Sequence, residues 1–459
     1  MLTTKEAAER LGVSVRRVNA LIESGALAAT RFGRAWMVED RSVDERIDAK
    51  PTGGRPKMGE RNPGNLVRYT LMNRNHPVLD FTYNRRTAEV GDLAPCEGIA
   101  YKPLGIGPWD REPNRYDLAE WIAARAVPRV RPRWGALLKL VRAATAADLM
   151  LESFGLNLSD QYWFRPEGSA VDWHAINYFE NGYDPLGLIE ELPRESGQVR
   201  SPDFSTSGML QKFWMRRGGV DCLLKGGTGA ENREPYNEVL ATKLLDRLCG
   251  PGEFVRYELV EIQGRTFSSC PTMVSSQTEL IAAYDVLVSF GVTEGRDRYR
   301  GYADACASLG VPDVGSLMSK MIVADHLMAN FDRHTHNFGL IRNVETLDGY
   351  RVAPLFDNGC GFYSRATLPE LTRGRYLWES HPFREYPSQQ LALVEDMSWY
   401  DPECLRGFAD DVAETLSGNP HLSDEFIEAV QRQTERQIDA VNDMAAERMG
   451  LFSGFGERA

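Results

Sequence analysis

The chain has 459 residues, 53 Lys+Arg against 65 Asp+Glu for a net charge of −12, and a 42% hydrophobic share. That length exceeds one ordinary core and predicts two or three domains, while the acidity argues against nonspecific nucleic-acid binding by the whole molecule. No run of about 18 uncharged apolar residues occurs and "MLTTKEAAERLG" has no basic segment followed by an apolar one, so no membrane span and a cytoplasmic location are expected.

The seven cysteines (96, 222, 249, 270, 306, 360 and 404) are odd in number, scattered and without a C-x-x-C pair, which suits reduced thiols and assigns them no role. Charge is uneven along the chain. Residues 1–68 hold 13 Lys+Arg against 9 Asp+Glu, leaving 40 against 56 in the remainder.

The first 48 residues predict a small helical unit. Thr4 is placed to cap a helix Lys5–Leu11 with Ala7, Ala8 and Leu11 inward; Gly12 ends it, and Ser14 starts a second helix with Val18, Leu21 and Ile22 on one face. Two short helices around a tight turn make a helix-turn-helix, whose second helix carries Arg16, Arg17 and Asn19 near its N-terminal end, where base edges and phosphates are met. The alternating "ATRFGRAWMVE" predicts a hairpin around Gly33 with Arg31 and Arg34 toward a phosphate backbone. The order helix, turn, helix, "SGAL", hairpin, "DRSVDERI" resembles the excisionase and MerR-type winged helix. A plain helical interaction module with surface arginines is the alternative. Residues 49–65, rich in Gly, Pro and charge, predict a linker.

From Leu66 to about Asp184 the pattern is mixed: "VLDFTYN" alternates like a strand, and Asp117–Ala126 and Arg133–Phe154 have helical spacing. Trp121, Trp134, Trp163 and Trp173 lack interleaved basic residues, so core packing is expected of them rather than base stacking.

Four pieces then follow in order. "FSTSGMLQKFWM" is a hydroxyl-rich loop with Ser205, Thr206, Ser207 and Gly208, flanked by sequence expected to form two strands; small residues let backbone N–H groups approach a phosphate. "DCLLKGG" ends a short strand on Lys225, and "REPYNEVLATKLLDRL" predicts a helix with Glu238 near its start and Val239, Leu240, Leu244, Leu245 and Leu248 as its apolar stripe. A lysine on a strand and a glutamate on the next helix form an ion pair that holds the amine against nucleotide phosphates; the alternative is a surface pair that never meets. "SLMSKMIVADHLMANFDRHTHNFGLI" predicts an apolar helix, a polar loop and a strand, with Asp332 and Asn337 in D-x-x-x-x-N spacing, that of a catalytic base and a magnesium-binding amide. "APLFDNGCGF" supplies Asp357 at the end of another apolar strand as a second hard-oxygen ligand for Mg²⁺. His334 and His336, with His326 nearby, leave a transition-metal site and a solvated turn as alternatives; in the phosphoryl-transfer reading they orient Asp332 and the loop backbone.

Together "LLKGG…EPYNEVLATKLL", "NFDRHTHNFGLIRN" and "APLFDNGCGF" resemble the HipA-like serine/threonine kinases of bacterial toxin–antitoxin modules. The resemblance implies an α+β, bilobal protein-kinase-like fold with a mainly helical C-terminal lobe, joined to the winged helix-turn-helix. Its divisions would be a HipA-like subdomain at 66–200, an N-lobe at 201–285 and a helical C-lobe at 286–459. It implies ATP and Mg²⁺ as cofactors, Lys225 on the nucleotide phosphates, Glu238 as its partner, Asp332 as base, Asn337 and Asp357 as metal ligands, and Met273 and Val274 at the adenine hinge. Ser205, Thr206 and Ser207 would cover the nucleotide and are the phosphorylation candidates. The implied partners are a protein substrate carrying Ser or Thr, DNA at the N-terminal domain, and a homodimer or antitoxin partner. No G-x-G-x-x-G precedes Lys225, and the helix-turn-helix is fused to the same chain. A nucleotide-sensing DNA-binding regulator without turnover, and a small-molecule or lipid kinase, are the competing functions.

Overall fold

The structure, a computed structural model, describes residues 2–11, 18, 21–22, 27–32, 35–48, 65–128, 145–188, 200–206, 208, 210–292, 297–374 and 376–449. Two compact units emerge, Met1–Pro63 and Gly64–Ala459.

The first unit runs β1 (Leu2–Thr3), α1 (Thr4–Leu11), β2 (Ala29–Phe32), β3 (Ala35–Val38) and α2 (Asp40–Asp48). Thr3, not Thr4, starts the first helix: its Oγ1 accepts the Glu6 N–H at 3.2 Å while Glu6 Oε2 accepts the Thr3 N–H at 2.7 Å, a reciprocal capping box. Sequence reading placed the cap one residue late because both positions are threonine and only the second carboxylate contact separates them. Ala7, Ala8, Val18, Leu21 and Ile22 are buried with Leu27, Val38 and Val43, as the apolar spacing requires. Strands β2 and β3 pair antiparallel with Arg31 opposite Trp36 and Phe32 opposite Ala35, while residues 33 and 34, where the turn was expected, lie outside the described residues. Arg31 is placed by its backbone; Arg16, Arg17, Asn19 and Arg34 lie outside the described residues.

The second unit opens with β4 (Leu66–Asn73), β5 (His76–Asn84), β6 (Glu89–Pro95), α3 (Arg115–Arg125), α4 (Ala146–Glu152) and β7 (Tyr162–Pro166). The four strands form one antiparallel sheet in the order β6-β5-β4-β7. Helix α3 starts at Asn114, whose side chain accepts the Tyr116 and Asp117 N–H groups. The helix expected over 133–154 is seen as α4, capped by Thr145; residues 129–144 lie outside the described residues. Trp121, Trp163 and Trp173 are buried in apolar clusters, consistent with packing; Trp134 is not described.

Beyond it lie β8 (Lys212–Arg217), β9 (Val220–Lys225), α5 (Arg233–Leu248), β10 (Glu258–Ile262) and β11 (Arg265–Pro271), the strands ordered β10-β11-β9-β8. The chain passes through residues 272–277 into β12 (Thr278–Ala282), α6 (Ala283–Ser289), α7 (Arg298–Ser308), α8 (Val314–Met328), β13 (Gly339–Asn343) and β14 (Arg351–Val352). Two long helices, α9 (Phe408–Ser417) and α10 (Asp424–Arg448), follow. The main core joins Leu240, Leu244, Leu245 and Leu248 of α5 to Met321, Ile322 and Leu327 of α8, Phe408 and Val412 of α9, and Val430 and Val441 of α10. Each such fully buried side chain contributes about 2 kcal/mol relative to an exposed one. That packing fixes α5 between the four-stranded sheet and the helices, and so places Glu238.

Two expectations about strands fail. The segment before the Ser205 loop is a 3₁₀ turn, Pro202–Ser205, rather than a strand, because proline at its first position presets the turn. Asp357 does not end a strand either: β14 stops at Val352, Leu355 makes a single bridge to Phe254, and Asp357 itself has φ +59°. The left-handed conformation swings the chain out of extended geometry just where its carboxylate is needed.

Candidate active site

Lys225 ends β9, and its register opposite Ser268 of β11 and Lys212 of β8 places it inside the sheet. Its ammonium, 4% exposed, donates to Glu238 Oε1 at 2.8 Å, Asp357 Oδ1 at 2.9 Å and the Tyr257 hydroxyl at 3.2 Å. One buried cation therefore faces two carboxylates. Burial works against the ammonium, but Asp357 and then Glu238 hold it well above its usual value. Burial would raise the Asp357 carboxyl too; Lys225 and then Lys212 bring it well below the usual carboxylate range. Glu238, 1% exposed, is raised by its burial, which Lys225 offsets in part. Asp357 is accordingly the more firmly ionised of the two.

The turn after Asp357 is held by α5. Glu238 Oε2 accepts the Asn358 N–H at 2.9 Å, and Asn237 Nδ2 donates to the carbonyls of Gly359 and Gly361 at 3.1 and 2.8 Å. Tyr257 accepts the Asp357 N–H at 3.3 Å, completing its tie to the lysine.

The loop 330–337 leaves the C-terminus of α8, where Ala329 takes φ +50°. Arg333, 1% exposed, makes a two-pronged pair with Asp325 and donates to the carbonyls of Asn337 at 2.9 Å and Phe356 at 2.6 Å and to Asn358 Oδ1. A single guanidinium thus stitches the Asp332/Asn337 loop to the Asp357 turn. Asn337 Nδ2 donates to the Asp332 carbonyl at 3.0 Å, which leaves its Oδ1 without a partner among the described residues. Of the Asp332 carboxylate, Oδ2 accepts the Cys360 thiol at an Sγ···O distance of 3.7 Å. Burial and then the Asp332 charge push that thiol up, so it stays protonated and donating.

The structure joins Lys225, Glu238 and Asp357 directly, and Arg333 brings Asp332 and Asn337 against the same turn. Among the described residues neither the Ser205 nor the Thr206 hydroxyl bonds to them, while Gly208 lies against Lys212, whose charge acts on Asp357. Ser205 is buried in its own turn with no hydrogen bond to its Oγ among the described residues, Thr206 Oγ1 donates to the Pro202 carbonyl at 2.8 Å, and Ser207 lies outside the described residues. Gly208, at φ +98°, sits so close to Lys212 that a Cβ there would lie 2.3 Å from Nζ. In the 272–274 segment the Thr272 hydroxyl accepts the Val274 N–H and donates to the Val274 carbonyl, each at 3.3 Å. Between them Met273 has no backbone partner among the described residues, leaving its N–H and C=O for a ligand; Val274 is spent.

The histidines, expected to orient Asp332 and the loop backbone, make their described contacts with the loop backbone and its neighbour. His334 Nδ1 accepts the His336 N–H at 3.3 Å, and the His336 ring stacks on Tyr284 at 4.6 Å. His326 belongs to α8 and contacts Trp378. No cluster of three or more His, Cys, Asp or Glu side chains able to hold a metal occurs among the described residues. The Asp357 carboxylate and the Asn337 Oδ1, which has no partner among the described residues, are hard oxygens of the type Mg²⁺ takes. Sequence reading passed over Arg333, Asn237, Tyr257, Lys212 and Cys360. Arg333 carried the one available signal, an arginine inside a loop between two apolar runs.

The first 51 residues match the model of the helix-turn-helix domain family, so the chain carries a helix-turn-helix domain at its N-terminus. A stretch of 46 residues is 46% identical to the serine/threonine-protein kinase CtkA of Helicobacter pylori (strain J99 / ATCC 700824), covering 10% of this chain and 14% of that relative's length. The crystal structure of a Helicobacter pylori proinflammatory kinase CtkA aligns at 16% identity with a TM-score of 0.40, over 51% of this chain and 94% of that one. The similarity to a kinase is partial and weak. No helix among the described residues is long and apolar enough to cross a membrane.

Proposed function

We propose that the chain is an ATP-dependent serine/threonine protein kinase of HipA-like type, two-lobed around the 272–277 connection, with a winged DNA-binding head on the same polypeptide. The observation that carries this reading is the buried Lys225 held by Glu238 and Asp357, with Arg333 tying the Asp332 loop to the Asp357 turn.

In this reading the Met273 backbone receives adenine, and Lys225 turns from Asp357 toward the α- and β-phosphates while Glu238 keeps it charged and aimed. Asp357 and Asn337 would hold Mg²⁺, whose contribution when bound would be to neutralise phosphate charge. Asp332 accepts the proton of a Ser or Thr hydroxyl as that oxygen bonds to the γ-phosphorus; the bond to the β-bridging oxygen breaks, and ADP leaves. Little covalent chemistry is asked of the protein, so positioning and electrostatics supply the rate. A head that reads an operator would make the chain a self-regulating transcriptional component or part of a toxin–antitoxin module.

The test is phosphate incorporation from labelled ATP into protein by the wild type and by Asp332→Asn. Loss of incorporation with an unchanged melting curve is expected, because the described carboxylate contact is one weak thiol bond. Undiminished incorporation removes Asp332 as base, and ATP binding without any turnover by the wild type would favour the nucleotide-sensing regulator.

A further inference from the structure

After the Asp357 turn the chain runs Phe362, Tyr363, Ser364, Arg365, Ala366 along the rim beside Asp332. Phe362 and Tyr363 both take left-handed conformations, at φ +47° and +59°, and both are buried. From beneath, Arg233 of α5 donates Nη1–H to the carbonyls of Tyr363 and Ser364, each at 3.3 Å, and of Ala366 at 2.8 Å. Arg233 is itself stacked 4.0 Å over the Phe426 ring and paired with Glu231. Backbone on both sides of residue 365 is therefore anchored.

Arg365 is left on the outside. Its guanidinium lies 4.2 Å from the centroid of Phe331, the residue preceding Asp332, and it makes no hydrogen bond or ion pair among the described residues. What distinguishes Arg365 from other exposed arginines is its place: its guanidinium is laid against the residue next to Asp332. Most exposed arginines sample many rotamers; this one is stacked on an aromatic ring in the loop of the candidate base, which restricts it. The surroundings carry both signs, with Lys225, Lys212 and Arg333 on the inner side of Asp357. Around Cys360, Asp332, Asp357 and Glu234 contribute negative charge, and Arg365 supplies the opposing positive charge.

A fixed, unpaired guanidinium presents a planar fork suited to carboxylate or phosphate groups. Resting on the kinase reading above, we infer that Arg365 is a specificity-determining residue that selects phosphoacceptor hydroxyls flanked by an anionic side chain. The anion pairs with the guanidinium while the neighbouring hydroxyl reaches Asp332. The same pairing offsets the repulsion that an acidic peptide would meet near Asp332 and Asp357.

The experiment uses the full chain with Mg-ATP and peptides that share one Ser acceptor and differ in the flanking residue: Glu, phosphoserine, Ala or Lys. The wild type should favour the Glu or phosphoserine peptide over the Ala peptide in kcat/KM by about tenfold, the scale of one charge-assisted pair. In Arg365→Ala that ratio should fall to about one, and Arg365→Glu should favour the Lys peptide. Preference for phosphoserine alone identifies a primed substrate, and preference for both identifies a general anion contact; each supports the inference. Equal losses on all four peptides would make Arg365 a clamp on the transferred phosphoryl group, and an unchanged ratio would make it a bystander; either overturns the inference while leaving the kinase reading intact. No transfer by the wild type to any peptide, or to the chain itself, overturns both.

Discussion

Lys225 and Asp357, 132 positions apart in the chain, form a 2.9 Å ion pair at the centre of the candidate site. Glu238 shares the same ammonium at 2.8 Å, so removing the cation leaves two carboxylates facing each other out of water. Lys225→Met should cost about 3–5 kcal/mol of folding stability, the range for breaking a buried pair from one side. Urea unfolding checks this, and Lys225→Met with Glu238→Leu should recover part of the loss. A single substitution that leaves the unfolding midpoint unchanged would show that the pair is solvated.

Arg333→Ala should be as damaging. It removes a buried partner from Asp325 and the donors to the carbonyls of Asn337 and Phe356. Expected losses are about 3–5 kcal/mol, with Mg-ATP binding lost in calorimetry even where the protein still folds. Retained binding would mean that the two loops find each other without the guanidinium.

His326 gives the molecule an acid-sensitive core. Burial depresses its imidazole from 6.5 to about 4, and neither ring nitrogen has a hydrogen-bond partner among the described residues. Between those values the unfolded chain binds a proton that the folded chain refuses, so stability falls as pH falls. Over that window the loss reaches about 3 kcal/mol. His326→Leu should remove about that much of the fall measured by urea titration between pH 7 and pH 4, while His336, also depressed by burial to about 4, keeps its own share. Parallel profiles would place the ring in water.

The N-terminal unit has its own core, and Val18 is fully buried in it. Val18→Asp places an unpaired carboxylate there, at a cost of several kcal/mol, about as much as a small unit can lose. Retention of the protein on heparin or operator DNA should be abolished. Phosphate incorporation, which depends on residues of the second unit, should survive. Joint loss of both would show that the head supports the second unit.

Much of the site was legible because its chemistry is local in sequence. Helix α5 spans Arg233–Leu248, the stretch its apolar period marked out, and the strand ending on Lys225 and the loop after α8 also stand where pattern placed them. What pattern could not supply was the set of contacts made between segments. Cys360 against Asp332, Tyr257 against Lys225, and Asn237 against the carbonyls of Gly359 and Gly361 join residues tens to more than a hundred positions apart, and each is an ordinary residue type in its own neighbourhood. The strand expected before the hydroxyl loop was not legible for the opposite reason: Pro202 winds that segment into a turn that buries Ser205.

By itself the amino-acid order determined the elements and their chemistry: where apolar spacing changes from two to between three and four, where Gly and Pro interrupt it, and which loops carry an amine, an amide or a carboxylate. Those are properties of neighbours along the chain, and steric and solvation preferences act on them before any fold exists. Tertiary structure decided the partnerships: that one lysine answers two acids, that Arg333 ties the Asn337 end of its loop to the Asp357 turn, and that Arg365 lies against Phe331 with no carboxylate partner among the described residues. Those follow from packing α5 between a sheet and a helical core, since burial makes an unmatched charge costly and so selects which distant groups must meet.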